Sequence, residues 1–542
     1  MAVLRAKQMA DTKLTLQEAM TQAVAAHKAG ELAKAERLYM TILDADPDHA
    51  DALQRLGVIE CQRGRSENGI RLMETALLID PRHAGALHNR GNAFFELARL
   101  PEAIKSYRQA LAVRKDAHFH SNLIFALNFD ERADAAQQQA ERARWYEAYA
   151  RTLAPAANRH GNDPDPNRRL RIGYVSAHFR AQAATYAFGG VIVSHDPDRF
   201  EVVCYSDTAK EDELTARFRA SVHKWHRTTA LSDQELSELI RSDRIDILVD
   251  CVGHMRGHRL FVFARKPAPI QVTAWGEPTG TGLKTIDYLF ADPVLVPASE
   301  RALLAERVYD LPNFLGHWQP DALPEPGAPP AVANGYVTFG AFNRYIKAQD
   351  PVLRTWAAIL RALPRARLLL KWNEVALTEG QQARVNAIFA AEGVDGDRVR
   401  QQVRTERANH FAAYQDVDIM LDPFPHGGGI TTLDALWMGV PVVTWRGSTI
   451  SSRLAAASLT ALNLTDFIAS DVESYVRLAI AKASDVDSLA KMRAGLRERV
   501  AGSAIGDPKR YTRAVEAAYV DIWKAWCAGG KGPVGSPSNE YG

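Results

Sequence analysis

The chain has 542 residues, of which 46% are hydrophobic and 24% are charged, so at ~150 residues per domain it is long enough for roughly three or four globular domains. Its 66 basic and 64 acidic side chains leave a formal net charge of +2, which predicts neither a nucleic-acid-binding protein nor one bound to a membrane surface. The sequence has no signal peptide, no apolar stretch of membrane-spanning length and four scattered cysteines without metal-ligand spacing, so we expect a cytoplasmic protein.

A repeat with a period of 34 residues starts near Leu16 and runs for three units. In each unit a small side chain stands where two paired helices would touch, and a bulky one stands where one pair would meet the next. The aligned sets are Ala23, Gly57 and Gly91, then Tyr39, Met73 and Tyr107. The pattern resembles tetratricopeptide repeats, so we predict a helical solenoid with its capping helices over residues 16–153. A Pro-rich, polar stretch at 154–168 is expected to be a linker outside the domains that follow.

From Leu170 onward, apolar runs alternate with helical patterns, which is typical of doubly wound α/β domains. We predict one Rossmann-like domain over 169–330 and a second over 335–527, with a disordered tail at 528–542. Expected strands of the first are Arg171–Ser176, Glu201–Tyr205, Ile245–Asp250, Ile270–Trp275 and Tyr288–Phe290. Expected strands of the second are Tyr336–Phe342, Ala366–Trp372, Val399–Val403, Val417–Leu421 and Val442–Thr444, with a final helix at Lys509–Trp526.

Two such domains in tandem leave a cleft at the carboxyl ends of both sheets, where folds of this type bind their ligands. The loops expected to line that cleft are Ser176–Tyr186 and Asp250–His258 in the first domain, and Asn343–Lys347, Arg404–His410 and His426–Asp434 in the second.

The loop that follows the strand at Val417–Leu421 contains three consecutive glycines, Gly427 to Gly429, and leads into a helical pattern. Glycines let the backbone approach a ligand closely, and the amino terminus of a helix offers unpaired N–H groups and a partial positive charge. This arrangement suits a phosphate group. The alternative is a simple turn in which Thr431-x-x-Asp434 forms an ordinary capping box.

Other polar residues on these loops have two interpretations each. Lys347 can reach a phosphate near the glycine loop, or it is a solvated surface lysine. For His410 the default is a structural histidine with satisfied hydrogen bonds. The Asp416-Val417-Asp418 sequence opens a strand rather than closing one, so we interpret it as structural and expect no metal site.

Several long motifs resemble the O-GlcNAc transferase family, whose members join tetratricopeptide repeats to an inverting glycosyltransferase of the GT-B fold and include the SPINDLY-like proteins. The motifs are RIGYVSAHF (171–179), PAPIQVTAWG (267–276), TGLKTIDYLFAD (281–292), FGAFNRYIK (339–347) and DALWMGVPVVT (434–444). The likeness runs from about residue 16 to about residue 526. It implies a metal-independent enzyme without a cofactor that uses a nucleotide sugar as co-substrate.

The resemblance also implies a set of site residues. Lys347 matches the lysine that contacts the diphosphate, Thr431 a threonine at the diphosphate, and Asp434 the carboxylate that holds the ribose. His410 matches a histidine stacked near the base, and Arg407 a lysine beside it. The remaining residues expected at the nucleotide sugar are Gln182, Arg344, Gly428, Gly429 and Thr432.

The general base is where this sequence departs from the family. Gln182 replaces a family histidine and cannot take a proton at neutral pH, His178 stands at a family aspartate, and Gly429 replaces a second histidine. His254, in an Asp250-x-x-Gly-His pattern of bacterial relatives, is our first prediction for the base, and His178 is the second. The alternative for His254 is to orient backbone or sugar.

We therefore expect a transferase that moves a sugar, GlcNAc from UDP-GlcNAc, onto Ser/Thr of a protein recognised by the repeats. One alternative is a relative with another donor, such as GDP-fucose or a flagellin-modifying sugar nucleotide. The other is a non-catalytic repeat scaffold with a vestigial nucleotide site. We expect neither nucleic acid nor a membrane as a binding partner. The sugar, the acceptor and the oligomeric state stay open at this point.

Overall fold

A computed structural model of the chain describes residues 15–156, 160–319 and 323–529. By their contacts the residues divide into two compact units: residues up to 126 together with 376–382 form the first, and residues 127–375 together with those from 383 onward form the second. The predicted tail at 528–542 lies outside the described residues from 530 onward. Within the described ranges, no helix is both long enough and apolar enough to cross a membrane.

The first unit consists of paired helices with the predicted period. Ala23 and Tyr39 are completely buried at equivalent contacts, and a Cβ atom at Gly91 would come within 2.7 Å of the Tyr107 ring. The small residues are therefore needed where helices of one pair touch, which confirms that part of the interpretation. Tyr107, expected at the contact with the next pair, faces Gly91 on the partner helix of its own pair. The helices are α1 (Leu16–Lys28), α2 (Leu32–Ala45), α3 (Ala50–Gln62), α4 (Ser66–Ile79), α5 (Ala84–Glu96), α6 (Leu100–Val113) and α7 (Ala117–Leu127).

Residues 127–153, which we assigned to the solenoid, instead belong to the second unit. They contain helix α8 (Ala135–Trp145), on which the side chain of Arg142 is completely buried. Its guanidinium donates to Asn128 Oδ1 (2.9 Å), Glu277 Oε1 (3.2 Å), Thr279 Oγ1 (2.7 Å) and the carbonyls of Gly280 (3.1 Å) and Gln138 (3.0 Å). Amphipathic spacing predicts that such a helix is covered, but not by what.

The first α/β domain is a parallel sheet of seven strands among the described residues, in the order β3-β2-β1-β4-β5-β6-β7. The strands are β1 (Leu170–Ser176), β2 (Phe200–Ser206), β3 (Lys224–Arg227), β4 (Ile247–Asp250), β5 (Ile270–Thr273), β6 (Tyr288–Ala291) and β7 (Arg307–Asp310). Five of them were predicted. β3 and β7 are short edge strands that carry charged side chains, so they lack the apolar run that marks a buried strand. The helices are α9 (Ala183–Ser194), α10 (Glu213–Ser221), α11 (Asp233–Ser242) and α12 (Leu260–Ala264).

The second α/β domain is a parallel sheet of six described strands, in the order β10-β9-β8-β11-β12-β13. The strands are β8 (Thr338–Asn343), β9 (Arg367–Trp372), β10 (Val399–Gln402), β11 (Ile419–Leu421), β12 (Val442–Trp445) and β13 (Ile468–Ala469). All but the two-residue β13 were predicted. The helices are α13 (Pro330–Asn334), α14 (Asp350–Ala362), α15 (Glu379–Ala391), α16 (Arg407–Ala412), α17 (Ile430–Trp437), α18 (Leu454–Ala461), α19 (Val472–Ala483), α20 (Val486–Ala501) and α21 (Pro508–Cys527).

Helix α21 ends the second predicted domain in sequence but packs on the first sheet. The Tyr519 hydroxyl lies 3.0 Å from that of Tyr174 on β1, and Trp275 Nε1 donates to the Tyr511 hydroxyl at 3.1 Å. The chain thus crosses back to its first Rossmann-like domain after completing the second. Two such domains joined in this way form the GT-B arrangement that the resemblance implied.

The predicted linker is not free of the domains. Asn162 Nδ2 donates to Asp246 Oδ1 at 2.7 Å, and the Arg168 guanidinium pairs with the same carboxylate at 2.6 Å. At the other end of the helical segment, the Phe129 ring stacks on His426, with centroids 4.4 Å apart. Residues between the repeats and β1 therefore contact both α/β domains.

Candidate functional site

The strand orders place the candidate loops together. In the first sheet the order reverses between β1 and β4, and in the second between β8 and β11. Ligands of open α/β sheets bind beyond the carboxyl ends of strands at such a point. The segment of Lys347 follows β8 and the glycine loop follows β11, whereas the His178 loop follows β1 and the His254 loop follows β4. Four of the five loops selected from sequence thus leave these central strands, and the fifth, Arg404–His410, follows β10 at the edge of the second sheet.

The glycine loop is shaped by the carboxylate of Asp422. Its Oδ1 accepts the Gly428 N–H at 2.7 Å, and its Oδ2 accepts the Thr444 hydroxyl at 2.7 Å. A Cβ atom on Gly428 would come within 2.5 Å of the Thr432 hydroxyl. Glycine at this position therefore permits a close approach of the backbone, as expected.

Helix α17 begins at this loop with Gly429 as its N-cap residue, and no side chain in the described structure caps it. The alternative of a Thr431-to-Asp434 capping box is therefore wrong. Thr431 is partly exposed at the first turn, whereas Thr432 is buried. The amino terminus of this helix keeps donors and positive potential that suit an anion.

Lys347 reaches the glycine loop from the other central strand. Its Nζ donates to the carbonyl of Gly427 at 2.7 Å, so it is not a solvated surface lysine. Burial lowers the pKa of Lys347 to about 8, although the nearby carboxylate of Asp422 opposes the shift and the charge of Arg344 adds to it. A partly exposed cation is thus fixed beside the amino terminus of α17, and together they form a positively charged edge of the loop.

Asp434 is the centre of a charged cluster on α17. The residue is 2% exposed, and its Oδ1 lies 2.8 Å from His317 Nε2 and 3.7 Å from Arg407 Nη2. Its Oδ2 lies 3.9 Å from His410 Nε2. Burial alone would raise the pKa of Asp434, but the His317 hydrogen bond and the Arg407 charge outweigh it and hold the pKa below its usual value. The carboxylate is therefore an anion at neutral pH.

His317 was missed from sequence. It lies in the irregular segment after β7, residues 311–319, which has no periodic pattern to distinguish it. The only local signal was an imidazole among apolar residues, which is more often structural.

Arg407 spans the two domains by a ring contact. Its guanidinium lies 3.6 Å from the centre of the Tyr186 ring on α9, and the Nε and Nη2 atoms are enclosed without a hydrogen bond in the described structure. His410 is surrounded by the rings of Phe342 and Tyr414, and burial lowers its pKa to about 4. The cluster thus offers two Arg407 donor atoms that make no hydrogen bond with a described residue, and a neutral imidazole next to the Asp434 anion.

The β1 loop brings His178 and Gln182 to the same edge of the first sheet. Gln182 is the N-cap residue of α9 without a capping hydrogen bond, and its Nε2 is enclosed without a partner among described residues. His178 is partly exposed, and its Nδ1 is likewise without a partner. Burial and the charge of Arg180 lower the pKa of His178 to about 4, against a backbone hydrogen bond with Arg256. Its ring is therefore neutral at physiological pH.

The β4 loop holds His254 in a different environment. His254 is 1% exposed, and its Nε2 lies 2.9 Å from the carbonyl oxygen of Thr281, which can only accept a hydrogen bond. Nε2 must therefore carry a proton. The backbone N–H of His254 donates to Glu277 Oε2 at 2.9 Å, and the same carboxylate also binds Arg142. As placed, the ring cannot take a proton through Nε2, and this favours the alternative, an orienting role.

The Asp416-Val417-Asp418 sequence and the buried carboxylate of Asp246 both have structural partners. Asp418 accepts the N–H groups of Ala331 (3.0 Å) and Thr338 (2.8 Å), as the structural interpretation predicted, and Asp246 pairs with Arg168. Across the described ranges, no group of three or more His, Cys, Asp or Glu residues is placed to hold a metal ion.

Comparisons with known proteins identify the family and the relatives of the chain. The profile of Glycosyl transferase family 41 matches residues 109–319 and 330–515, and a tetratricopeptide-repeat profile matches residues 84–116. A Petunia hybrida protein described as a probable UDP-N-acetylglucosamine–peptide N-acetylglucosaminyltransferase SPINDLY is 35% identical over 415 residues, 75% of this chain and 44% of the relative. An Arabidopsis thaliana protein, a probable transferase of the same description named SEC, is 28% identical over 374 residues, 67% of this chain and 38% of the relative.

The chain thus spans less than half the length of these curated relatives. A solved structure of a mutant Thermobaculum terrenum O-GlcNAc transferase superposes with a TM-score of 0.87 at 35% identity, covering 95% of this chain and 98% of that one. Because the family profile covers both α/β domains and the loops at their switch points, the chain belongs to glycosyl transferase family 41.

Proposed function

We propose that the chain is an inverting, metal-independent glycosyltransferase that moves GlcNAc from UDP-GlcNAc onto Ser/Thr hydroxyls of proteins. The observation that carries this proposal is the uncapped amino terminus of α17 with Lys347 fixed across from it and Asp434 one turn further along. A diphosphate needs the first two features and a nucleoside diol suits the third. The activities for which the relatives are named indicate the sugar and the nucleotide.

The proposed chemistry requires positive charge at the leaving diphosphate. As the bond to the sugar breaks, negative charge grows on the phosphate oxygens, and groups already oriented towards it lower the barrier. The Lys347 ammonium and the N–H groups of α17 would supply that charge without a metal ion. Because no cofactor is needed for this step, a nucleotide sugar and a hydroxyl acceptor are sufficient reactants.

The acceptor hydroxyl must lose a proton during transfer, and we move the proposed base from His254 to His178. Nδ1 of His178 is enclosed but makes no hydrogen bond with a described residue, whereas Nε2 of His254 is hydrogen-bonded to a carbonyl oxygen. A pKa of about 4 leaves His178 unprotonated above that pH. His178→Ala should therefore reduce transfer by about 10²-fold with unchanged nucleotide affinity. Transfer at the normal rate would exclude His178 and leave the phosphate of the nucleotide or a water chain.

Recognition of the protein acceptor by the repeats is the second part of the proposal. Repeats of this kind stack into continuous surfaces that bind protein segments.

A cytoplasmic location is the third part of the proposal. All four cysteines are unpaired in the described structure, as is usual for proteins of reducing compartments.

The deciding experiment offers the purified chain UDP-GlcNAc, GDP-fucose and other sugar nucleotides with a proteome extract, in buffer with and without EDTA. Mass spectrometry should find a mass increase of one GlcNAc on Ser or Thr, insensitive to EDTA. A fucose adduct would change the donor, and loss of activity in EDTA would overturn the metal-independent step. Nucleotide binding by calorimetry without transfer or hydrolysis of any donor would favour the scaffold alternative.

A further inference from the structure

His317 is held in place by its neighbours along the chain. The backbone N–H of His317 donates to the carbonyl of Ile505 at 2.9 Å, and the backbone N–H of Trp318 donates to the carbonyl of Tyr186 at 3.1 Å. The Trp318 indole lies over Gly189, where a Cβ atom would come within 2.3 Å of the ring. The imidazole therefore has a defined position although its segment forms neither helix nor strand.

The hydrogen bonds around His317 also determine which ring nitrogen carries the proton. Gln319 Nε2 donates to the carbonyl of Gly506 at 2.9 Å, which orients the amide, and the same nitrogen lies 3.2 Å from His317 Nδ1. An amide nitrogen can only donate, so Nδ1 accepts. His317 Nε2 then carries the hydrogen and donates it to Asp434 Oδ1 at 2.8 Å.

The two oxygens of Asp434 consequently have different roles. Oδ1 is anchored by His317, and both side chains are buried, with exposures of 2% for Asp434 and 0% for His317. Oδ2 receives no hydrogen bond from a described residue, and His410 Nε2 lies 3.9 Å from it. A carboxylate with one oxygen fixed and the other available is a directed acceptor for a ligand hydroxyl.

We propose that His317 is a positioning residue that directs Asp434 Oδ2 at the ribose hydroxyls of the nucleotide, so that the site selects ribonucleotides over deoxyribonucleotides. Gln319 supports it by keeping the proton on Nε2. This inference rests on the proposed function, because a nucleoside diphosphate must occupy the cleft.

The test measures the affinity of the full chain for UDP and for its 2′-deoxy and 3′-deoxy analogues by calorimetry, or for the GDP series if GDP binds more tightly. The unaltered chain should prefer the ribonucleotide over at least one analogue by about 10-fold or more, as expected for a hydroxyl bound to a charged acceptor. His317→Leu should reduce that ratio to within about threefold. His317→Gln, whose amide Nε2 can replace the imidazole donor, should retain more of the preference.

His195→Leu is the matched control. His195 is also a buried imidazole paired with a buried carboxylate, since its Nδ1 lies 3.0 Å from Glu516 Oε1, but that pair joins α21 to the carboxyl end of α9. Its loss should lower stability and leave the ribose preference unchanged. A reduced ratio in this control would attribute the effect to general destabilisation and overturn the assignment to His317.

The outcomes separate the two levels of the proposal. If the unaltered chain binds neither UDP nor GDP, the donor site and this inference both fail. If His317→Leu binds UDP and keeps the full preference for ribose, the inference fails and the donor site stands. If His317→Leu does not fold, Gln319→Met decides at a partly exposed position. It should lower the ratio by about threefold, and an unchanged ratio would refute the positioning role.

Discussion

Replacing Arg142 by Met should destabilise the second unit strongly. The guanidinium is fully buried against Glu277, which is 4% exposed as a side chain, and removing one partner of a buried ion pair costs about 3–5 kcal/mol. Glu277 keeps the N–H of His254 and a donor from Asn128, which places this loss at the lower end of the range. Two carbonyls that lose their donor add about 1 kcal/mol. We therefore expect a decrease of about 4 kcal/mol in the free energy of unfolding.

Urea unfolding followed by tryptophan fluorescence measures this change, because Trp145 lies on the same helix and stacks on Phe261. With a slope of about 3 kcal/mol/M, the midpoint should fall by about 1.3 M. Arg144→Met is the control: its side chain is 65% exposed and its pair with Glu141 is worth at most about 1 kcal/mol. If both variants lose the same small amount, the buried network of Arg142 does not hold this segment to the sheet.

Three further predictions concern the cleft and the segment before it. Lys347→Ala should lower the rate of transfer by about 10²–10³-fold with little change in stability. Because burial lowers the pKa of that ammonium to about 8, kcat/KM of the unaltered chain should fall as pH rises through about 8, where the cation loses its proton; a flat profile to pH 10 would contradict its role. Gly428→Ala should weaken nucleotide binding measured by calorimetry, because the added Cβ would press on Thr432, and normal affinity would show that the loop adapts freely. A chain that begins at Asn167 should fail to fold or to bind nucleotide, whereas one that begins at Ala117 and keeps helices α7 and α8 should bind it; equal binding by both would make the buried segment dispensable.

The periodic parts of the fold were determined by the sequence alone. Spacing of small and bulky residues identified the repeats, and apolar runs of strand length identified ten of the thirteen described strands. The three missed strands are β3, β7 and β13, which are short and lie towards the sheet edges. Local periodicity records which face of an element is buried, but β3 and β7 are four residues long with charged ends and β13 has two residues, so none contains an apolar run.

The glycine loop and Lys347 were also identified from sequence, because a glycine run between a strand and a helix is a local signal of close backbone approach. The tertiary structure then decided between the alternatives. Lys347 Nζ contacts the carbonyl of Gly427, 80 residues away, and α17 is left without a side-chain cap. A surface lysine would lack the contact with Gly427, and a capping box would place a side-chain cap on the helix. Only these contacts distinguish the alternatives from the predicted arrangement.

Only the tertiary structure showed which side chains far apart in the sequence contact each other. His317 meets Asp434 across 117 residues, and Arg142 meets Glu277 across 135. His254 is a further example: its sequence motif predicted a general base, but in the structure its ring contacts the carbonyl oxygen of Thr281. The residue type determines which hydrogen bonds a side chain can make. The tertiary structure determines which group the side chain contacts and whether water reaches it. The sequence therefore determined the elements and the position of the glycine loop, whereas the fold determined that the His254 ring meets a carbonyl oxygen and that the His317 ring meets the Asp434 carboxylate.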